Sequence, residues 1–382
     1  MGRQGYFINN LSGYKSFKPS NLKDVEQQLI LDEEINKLIV AIHENLAKIN
    51  TMSELIYDSD LFLYAYVYEE ALESSRIEGT ECTMEDIFLN IKNNKIKKEK
   101  NFEDIKETIS NINAIEKGVE KIKSLPICTR LYKEIHKVLL NNVRGENKNP
   151  GEVRTTQNWI GGNSIKEATF VPPNVNDMNE ALNELDKYIN DEKAIIDKTI
   201  KTALIHYQFE TIHPFLDGNG RLGRIIILLY LIQEKLLLRP YVYMSYYLKM
   251  HQIEYYNKLM EVRLNDKYEE YIKFFLQCFN ETTKSVIKRI NNIDELHKRN
   301  LSKLPETNRE KNTYRIVFNY IEKNPIFTIK EIQDETKLSY NTINTVVCKL
   351  NELRMLKKQE ENAKRNKVYV YEEYVELFRR IK

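Results

Sequence analysis

Cysteine is scarce in this 382-residue chain: Cys82, Cys128, Cys278 and Cys348 are the only four, and no two form a CxxC pair. Such scatter argues against a disulfide framework and against a thiolate zinc site, and it leads to the expectation of a reducing, cytoplasmic setting. No apolar run is longer than eight residues (Ile225–Ile232). A membrane span takes about 20, so none is expected. The opening MGRQGYFINN lacks an apolar h-region and has no Ser or Thr at position 6, so neither a secretory nor a myristoylation signal is expected. Glycine (12) and proline (9) are few, with 42% hydrophobic and 30% charged residues. That composition excludes a collagen-like chain and disorder throughout. An excess of one charge is missing too: 58 basic and 56 acidic residues leave +2. The chain as a whole is therefore not an electrostatic nucleic-acid binder. Residues 301–382, with 17 basic and 12 acidic residues, carry +5, whereas the first 300, with 41 and 44, carry −3. Basic character gathers at the C-terminal end.

At roughly 150 residues per domain the length suggests two to three domains. The pattern is mainly α. Residues 1–120 read as helical, with apolar positions at helical spacing over Ile30–Ile49, Leu61–Ile77 and Ile105–Ile122, and Gly79 placed to end the second of these. A core spans 121–297, with helices expected over Thr129–Leu140, Val175–Ile189, Ile195–Ile212, Ile225–Leu238, His251–Arg263 and Lys267–Ile293. Gly145–Pro173 is different: it holds seven glycines and prolines and the only tryptophan, Trp159, and cannot be a long helix. Asn158–Ile160 and Thr169–Val171 are expected to pair as a small hairpin. Lys298–Asn308 is the candidate linker, and 305–382 forms a separate module. There is no internal repeat.

The stretch His213-Pro-Phe-Leu-Asp-Gly-Asn-Gly-Arg-Leu-Gly-Arg224 carries the chemistry. Gly218, Asn219 and Gly220 tolerate unusual backbone angles, so their N–H groups can converge at the start of the apolar helix that follows. Amides gathered at a helix N terminus suit phosphate. Arg221 and Arg224 add two planar cationic forks. Asp217 can hold a hard cation such as Mg²⁺ against the same phosphates. His213 has the proton affinity to take a proton from an attacking hydroxyl. Together they fit attack on a nucleotide phosphate. An ordinary glycine turn between two core helices is the plainer alternative, but it needs none of these four side chains. His206 and His213 are seven apart without an HExxH pattern, which argues against zinc. No Lys-Ser/Thr follows the glycines and no strand precedes them, so neither a P-loop nor a Rossmann turn is present.

This stretch resembles the signature of the Fic family, HPFx[D/E]GNGRxxR, at every fixed position. The likeness extends over about residues 10–295, through Gly151-Glu-Val-Arg-Thr-Thr-Gln-Asn-Trp-Ile-Gly-Gly162 and Phe170-Val-Pro-Pro173, which look like the segments flanking the family's flap. The resemblance implies a Fic-type helical core with a small β-hairpin flap. It implies transfer of AMP from ATP to a protein hydroxyl on Tyr, Ser or Thr, that of the enzyme itself included. His213 would be the general base and Asp217 the Mg²⁺ ligand. The Gly218–Arg221 amides with Asn219 would surround the inner phosphates, Gly223 would belong to the same ATP-binding loop, and Arg224 would hold the γ-phosphate. The flap, with Ile160, Gly161, Phe170 and Val171, would align an extended target segment. Tyr255 and Tyr256 fall where the family lines the adenine. A family branch with Lys in place of Gly220 acts as a kinase, so glycine favours AMP transfer.

Ser74-Ser-Arg-Ile-Glu-Gly79 is the second informative stretch. Ser74 and Glu78 share a helix face, and an acid in a last turn is disfavoured by the helix dipole unless a cation faces it. The stretch resembles the family's inhibitory motif, [S/T]xxxE[G/N], which sets the Glu on the second signature arginine, here Arg224. The resemblance implies autoinhibition, within one chain or between subunits of a homodimer. It also admits a reverse reaction in which the same Glu positions a water that removes AMP.

In the last 75 residues, helices are expected over Arg309–Glu322, Thr328–Thr336 and Tyr340–Leu353, the last capped by Ser339. Strands Met355–Lys358 and Val368–Tyr371 follow. Three helices and a hairpin are the order of a winged helix. Tyr340, Asn341, Asn344 and Lys349 on the third helix, with Lys364, Arg365 and Lys367 at the wing, suit DNA. The competing whole-chain reading is a nucleotide-sensing, DNA-binding regulator; a sensor, however, has no use for His213.

Overall fold

A computed structural model describes residues 2–55, 59–84, 86–87, 101–193, 195–305, 308–358 and 367–377. The chain divides into two compact units, one of residues 1–50 and 67–284, the other of residues 51–66 and 285–382.

The chain opens with an antiparallel hairpin, β1 (Gly5–Asn9) and β2 (Lys15–Pro19), in which Phe7 faces Phe17. The helical reading of residues 1–120 fails over this stretch. Helices α1 (Leu22–Glu26), α2 (Glu33–Leu55), α3 (Ser59–Ile77), α4 (Phe102–Lys121), α5 (Thr129–Leu139), α6 (Val175–Ile189), α7 (Lys198–Ile212), α8 (Asn219–Gln233), α9 (Ser245–Met250), α10 (Gln252–Asn265) and α11 (Tyr268–Leu301) follow. Local chemistry explains several of the starts. Asn174 caps α6 by accepting from the N–H groups of Asn176 and Asp177, and Asp197 caps α7 by accepting from Thr199. The middle of the first unit is the pair α7 and α8. Every residue of α7 from Thr199 to Ile212 is buried, as is α8 from Arg221 to Leu231. From Ile225 to Ile232 α8 is apolar on all sides, as suits a helix inside the fold, whereas α7 also buries polar residues such as His206 and Glu210; burying each Leu or Ile there contributes about 1.5–3 kcal/mol.

The expected flap pairing is a single bridge: Ile160 N–H donates to the Phe170 carbonyl at 2.8 Å and Phe170 N–H returns the bond at 3.1 Å. On its other side the Val171 carbonyl accepts from Phe17 N–H at 3.0 Å. β2 therefore lies beside the flap's second strand and occupies that edge.

In the second unit, α12 (Asn308–Lys323), β3 (Ile326–Thr328), α13 (Ile329–Thr336), α14 (Tyr340–Glu352), β4 (Lys357–Lys358), β5 (Val368–Val370) and α15 (Glu372–Glu376) succeed one another. The sheet order is β3-β5-β4, antiparallel throughout. Thr328 and Glu331 form a reciprocal capping box on α13, and Ser339 caps α14. Val317, Ile321, Ile332, Ile343, Val347 and Leu350 close the core. This is the arrangement of a winged helix. The wing residues Lys364 and Arg365 lie outside the described residues.

Candidate active site

α7 ends in a left-handed residue, and His213 is that residue (φ 49°, ψ 60°). Few non-glycine residues adopt this geometry; here it turns the chain out of α7 into the loop 214–218. Gly218, at φ 74°, turns it back into α8. No side chain caps α8, so its first-turn amides and the positive end of its dipole stay open to an anion.

The loop between them is held from several sides. Asn219 accepts from Phe215 N–H at 2.9 Å and donates to the Phe215 carbonyl at 2.8 Å. Its side chain is spent on the loop, which leaves only its backbone for phosphate. His136 of α5 stacks on Phe215 with ring centroids 3.9 Å apart. Its Nδ1 accepts from Gly151 N–H at 2.9 Å, which leaves Nε2–H to donate to the Asp217 carbonyl, also at 2.9 Å. Burial pushes this imidazole down to about 4, so it stays neutral. Arg154, buried, donates from Nε to the His213 carbonyl at 3.0 Å and from Nη2 to the Pro173 carbonyl at 2.6 Å. Asn158 Nδ2 spans the carbonyls of His213 (3.2 Å) and Phe215 (2.9 Å). Arg154→Ala takes the short bond from the Pro173 carbonyl and leaves the His213 carbonyl to Asn158 alone; an unsatisfied buried group costs about 1–3 kcal/mol. A loss of about 3 kcal/mol in urea unfolding is expected on that scale, and an unchanged midpoint would contradict this account.

His213 itself is half-buried. Burial first, then the Arg263 charge, push its imidazole down to about 4, against the Glu210 carbonyl, which raises it. At neutral pH it is an uncharged base. Arg263 of α10 donates to Thr211 Oγ1 at 3.1 Å and lies 3.9 Å over the Phe170 ring, tying the flap to the end of α7. Asp217 keeps its carboxylate 40% exposed. Its Oδ1 accepts from Gly218 N–H at 2.6 Å, and Gly145 presses close to Oδ2, where a Cβ would stand 2.5 Å away.

Both arginines are buried and paired. Arg221 Nη1 donates to Glu107 Oε1 of α4 at 2.6 Å. Arg224 donates from Nε to Ser74 Oγ at 2.8 Å, and from Nη2 to the Ser74 carbonyl at 2.9 Å and to Glu78 Oε1 at 2.7 Å. The Ser74–Glu78 stretch thus reaches the second arginine. Burial works to raise the Glu78 carboxyl, but the Arg224 charge and hydrogen bond outweigh it and hold it below the usual carboxylate range.

Two glycines of the motif do separate work. Gly220 faces the Glu78 carboxylate so closely that a Cβ would collide with Oε1. Gly223 faces Glu210 of α7 in the same way, so it packs α8 onto α7 and does not turn toward a nucleotide. Tyr255 is likewise a core residue: it is fully buried, and its hydroxyl donates to His206 Nε2 at 2.7 Å while His206 Nδ1–H reaches the Gly223 carbonyl at 3.2 Å. Its neighbour Tyr256 is 43% exposed and feels the Glu78 charge, so of the two it is the one left near the site. No group of three His, Cys, Asp or Glu suited to a metal exists among the described residues.

A buried pair of helices, α7 and α8, joined by the short loop 214–218 belongs to an overall fold shared with solved Fic proteins. A Fic family protein from Desulfovibrio desulfuricans G20 matches at TM-score 0.59 and 16% identity, over 90% of this chain and 97% of that one. Fic-1 of Caenorhabditis elegans matches at 0.50 and 20%, over 69% and 73%. The Fic/DOC family model matches residues 126–231 and the Fic/DOC family N-terminal model residues 36–120. The chain belongs to the Fic/DOC family. Among curated relatives, protein adenylyltransferase Fic of Aedes aegypti is 30% identical over 150 residues, 39% of this chain and 27% of that protein. Protein adenylyltransferase fic-1 of C. elegans is 31% identical over 102 residues, 26% and 18%. The chain therefore aligns with about a quarter or less of the length of these relatives. No helix among the described residues is long and apolar enough to cross a membrane.

Proposed function

We propose that this chain transfers AMP from ATP to a hydroxyl side chain of a protein. The observation that carries this reading is the uncharged His213 at one end of a short loop whose other end is an uncapped helix N terminus. The attacking hydroxyl passes its proton to the His213 imidazole as its oxygen bonds to the α-phosphorus. The bond from that phosphorus to the bridging oxygen breaks, and pyrophosphate leaves. The α8 amides and Arg221 offset the charge that collects on the phosphate oxygens. Arg224, once free of Glu78, has its fork for the terminal phosphate.

The Asp217 carboxylate fits a divalent cation: it is half-exposed, hard, and next to the anion site. With no group of three metal-ligating side chains among the described residues, nucleotide phosphates must supply the remaining ligands, as is usual for magnesium. Such an ion, when bound, neutralises phosphate charge and orients the leaving group.

Incubating the Glu78→Gly protein with Mg-ATP and measuring intact mass tests the reading. A gain of one adenylyl group is expected, on this chain or on an added target. A gain of phosphate alone would overturn it.

For the second unit we propose duplex DNA as a partner. Tyr340, Asn341, Thr345 and Lys349 are exposed along α14, and Lys357, Lys358 and Lys367 are exposed at the strands. The full chain should shift labelled duplex DNA, with log affinity falling by about 0.9 per phosphate contact for each log unit of salt. Binding that ignores salt would sink the idea.

A further inference from the structure

Arg221 stands between two acids. Its Nη1 donates to Glu107 Oε1 at 2.6 Å, whereas its Nη2 stays 3.6 Å from Asp217 Oδ1, one helical turn away. Arg221 and Glu107 are almost wholly buried, their side chains 3% and 6% exposed. Glu107 is held in turn by Arg144, whose Nη2 is 3.4 Å from Oε2 and 2.7 Å from Asp104 Oδ1. The next residue is Gly145, the glycine pressed against Asp217. The charges therefore alternate along Asp217, Arg221, Glu107, Arg144 and Asp104, linking α4, the loop after α5 and the candidate cation ligand.

This order matters because a carboxylate cannot serve a guanidinium and a dication equally. A short charge-assisted bond takes up the positive charge of Arg221 on the Glu107 side. Without it, and with Glu78 also replaced, the buried arginine would turn to Asp217, the other acid it nearly touches among the described residues, since leaving the guanidinium unpaired there is strongly unfavourable. We propose that Glu107 is a positioning residue of the nucleotide site, holding Arg221 off Asp217 so that the Asp217 carboxylate is left to a divalent cation. The inference rests on the adenylyl-transfer reading above.

The test uses Mn²⁺ as the probe and the Glu78→Gly full chain with ATP as the reference, with Mn²⁺ binding followed by electron paramagnetic resonance. Groups that orient a metal ligand from behind typically change metal affinity by about 10–100-fold when removed. Glu107→Gln is therefore expected to weaken Mn²⁺ binding to the ATP complex by at least about tenfold, and Glu107→Asp to restore part of it. ATP affinity in EDTA should not fall. In an Asp217→Asn background, Glu107→Gln should have no further effect on Mn²⁺. The proposal is overturned if Glu107→Gln lowers only the melting temperature while Mn²⁺ binds as in the reference. It is also overturned if the loss is equally large in the Asp217→Asn background, which would mark a diffuse charge effect. A reference protein that binds no Mn²⁺ with ATP would overturn this proposal and the functional reading together.

Discussion

Replacing Glu78 by glycine is expected to raise AMP transfer roughly ten- to a hundredfold, because hydrogen bonds to charged groups are worth about 1.5–3 kcal/mol and each 1.4 kcal/mol is about a factor of ten. Arg224 is buried and held in the resting chain by three bonds, two to Ser74 and one to the Glu78 carboxylate. The Glu78 bond is the one that neutralises the fork a terminal phosphate would need. The substitution should leave the fold intact, since α3 ends at Ile77 and Gly79 already takes a left-handed turn at φ 97°. Because Arg224 holds the Glu78 carboxyl below its usual range, the brake is charged at all neutral pH values. It should loosen only as pH falls through that lowered value. Single-turnover rates with ATP measure the effect; equal rates with and without Glu78 would remove the brake from the account.

Replacing His213 by alanine in the released protein should lower transfer by about 10²–10⁴, the usual share of a general base, with ATP affinity little changed. The pH profile is the more searching check. A base must be unprotonated, so activity is lost as pH falls through its pKa. Burial and Arg263 push His213 down to about 4, whereas an ordinary histidine titrates near about 6.5. The kcat/KM of Glu78→Gly, which reports the free enzyme, should stay flat on acidification well below the ordinary histidine value. An acidic limb at that ordinary value would mean that partial burial and the Arg263 charge do not lower His213 as described.

Much of this architecture is legible in the amino-acid sequence. The start of α6 at Asn174 and of α14 at Ser339 follow from side chains that cap locally, and the 213–224 motif declares its chemistry by residue type and spacing. What stays hidden depends on partners distant in the chain. The β1–β2 hairpin has short strands with weak apolar alternation, and β2 finds its partner at Val171. His136 looks like a polar residue on an amphipathic helix until Gly151 and Asp217 close around it. Glu107 does leave a trace: with Thr108, Ser110 and Asn111 it puts polar side chains on the buried face of α4, where periodicity alone predicts Leu or Ile. Buried polar residues require partners, and asking where theirs lie leads toward Arg221. Gly223 and Tyr255 mislead for the converse reason: a place in the motif, or in the family's pattern, says nothing about which side of its helix a residue occupies.

Gly220 makes two traits inseparable. Its bare Cα is the surface against which the Glu78 carboxylate rests, so any side chain there, a lysine included, pushes the carboxylate away. If Glu78 is the brake proposed above, a change of this one glycine is expected to alter the phosphate-facing turn of α8 and weaken the Glu78–Arg224 pair in the same step.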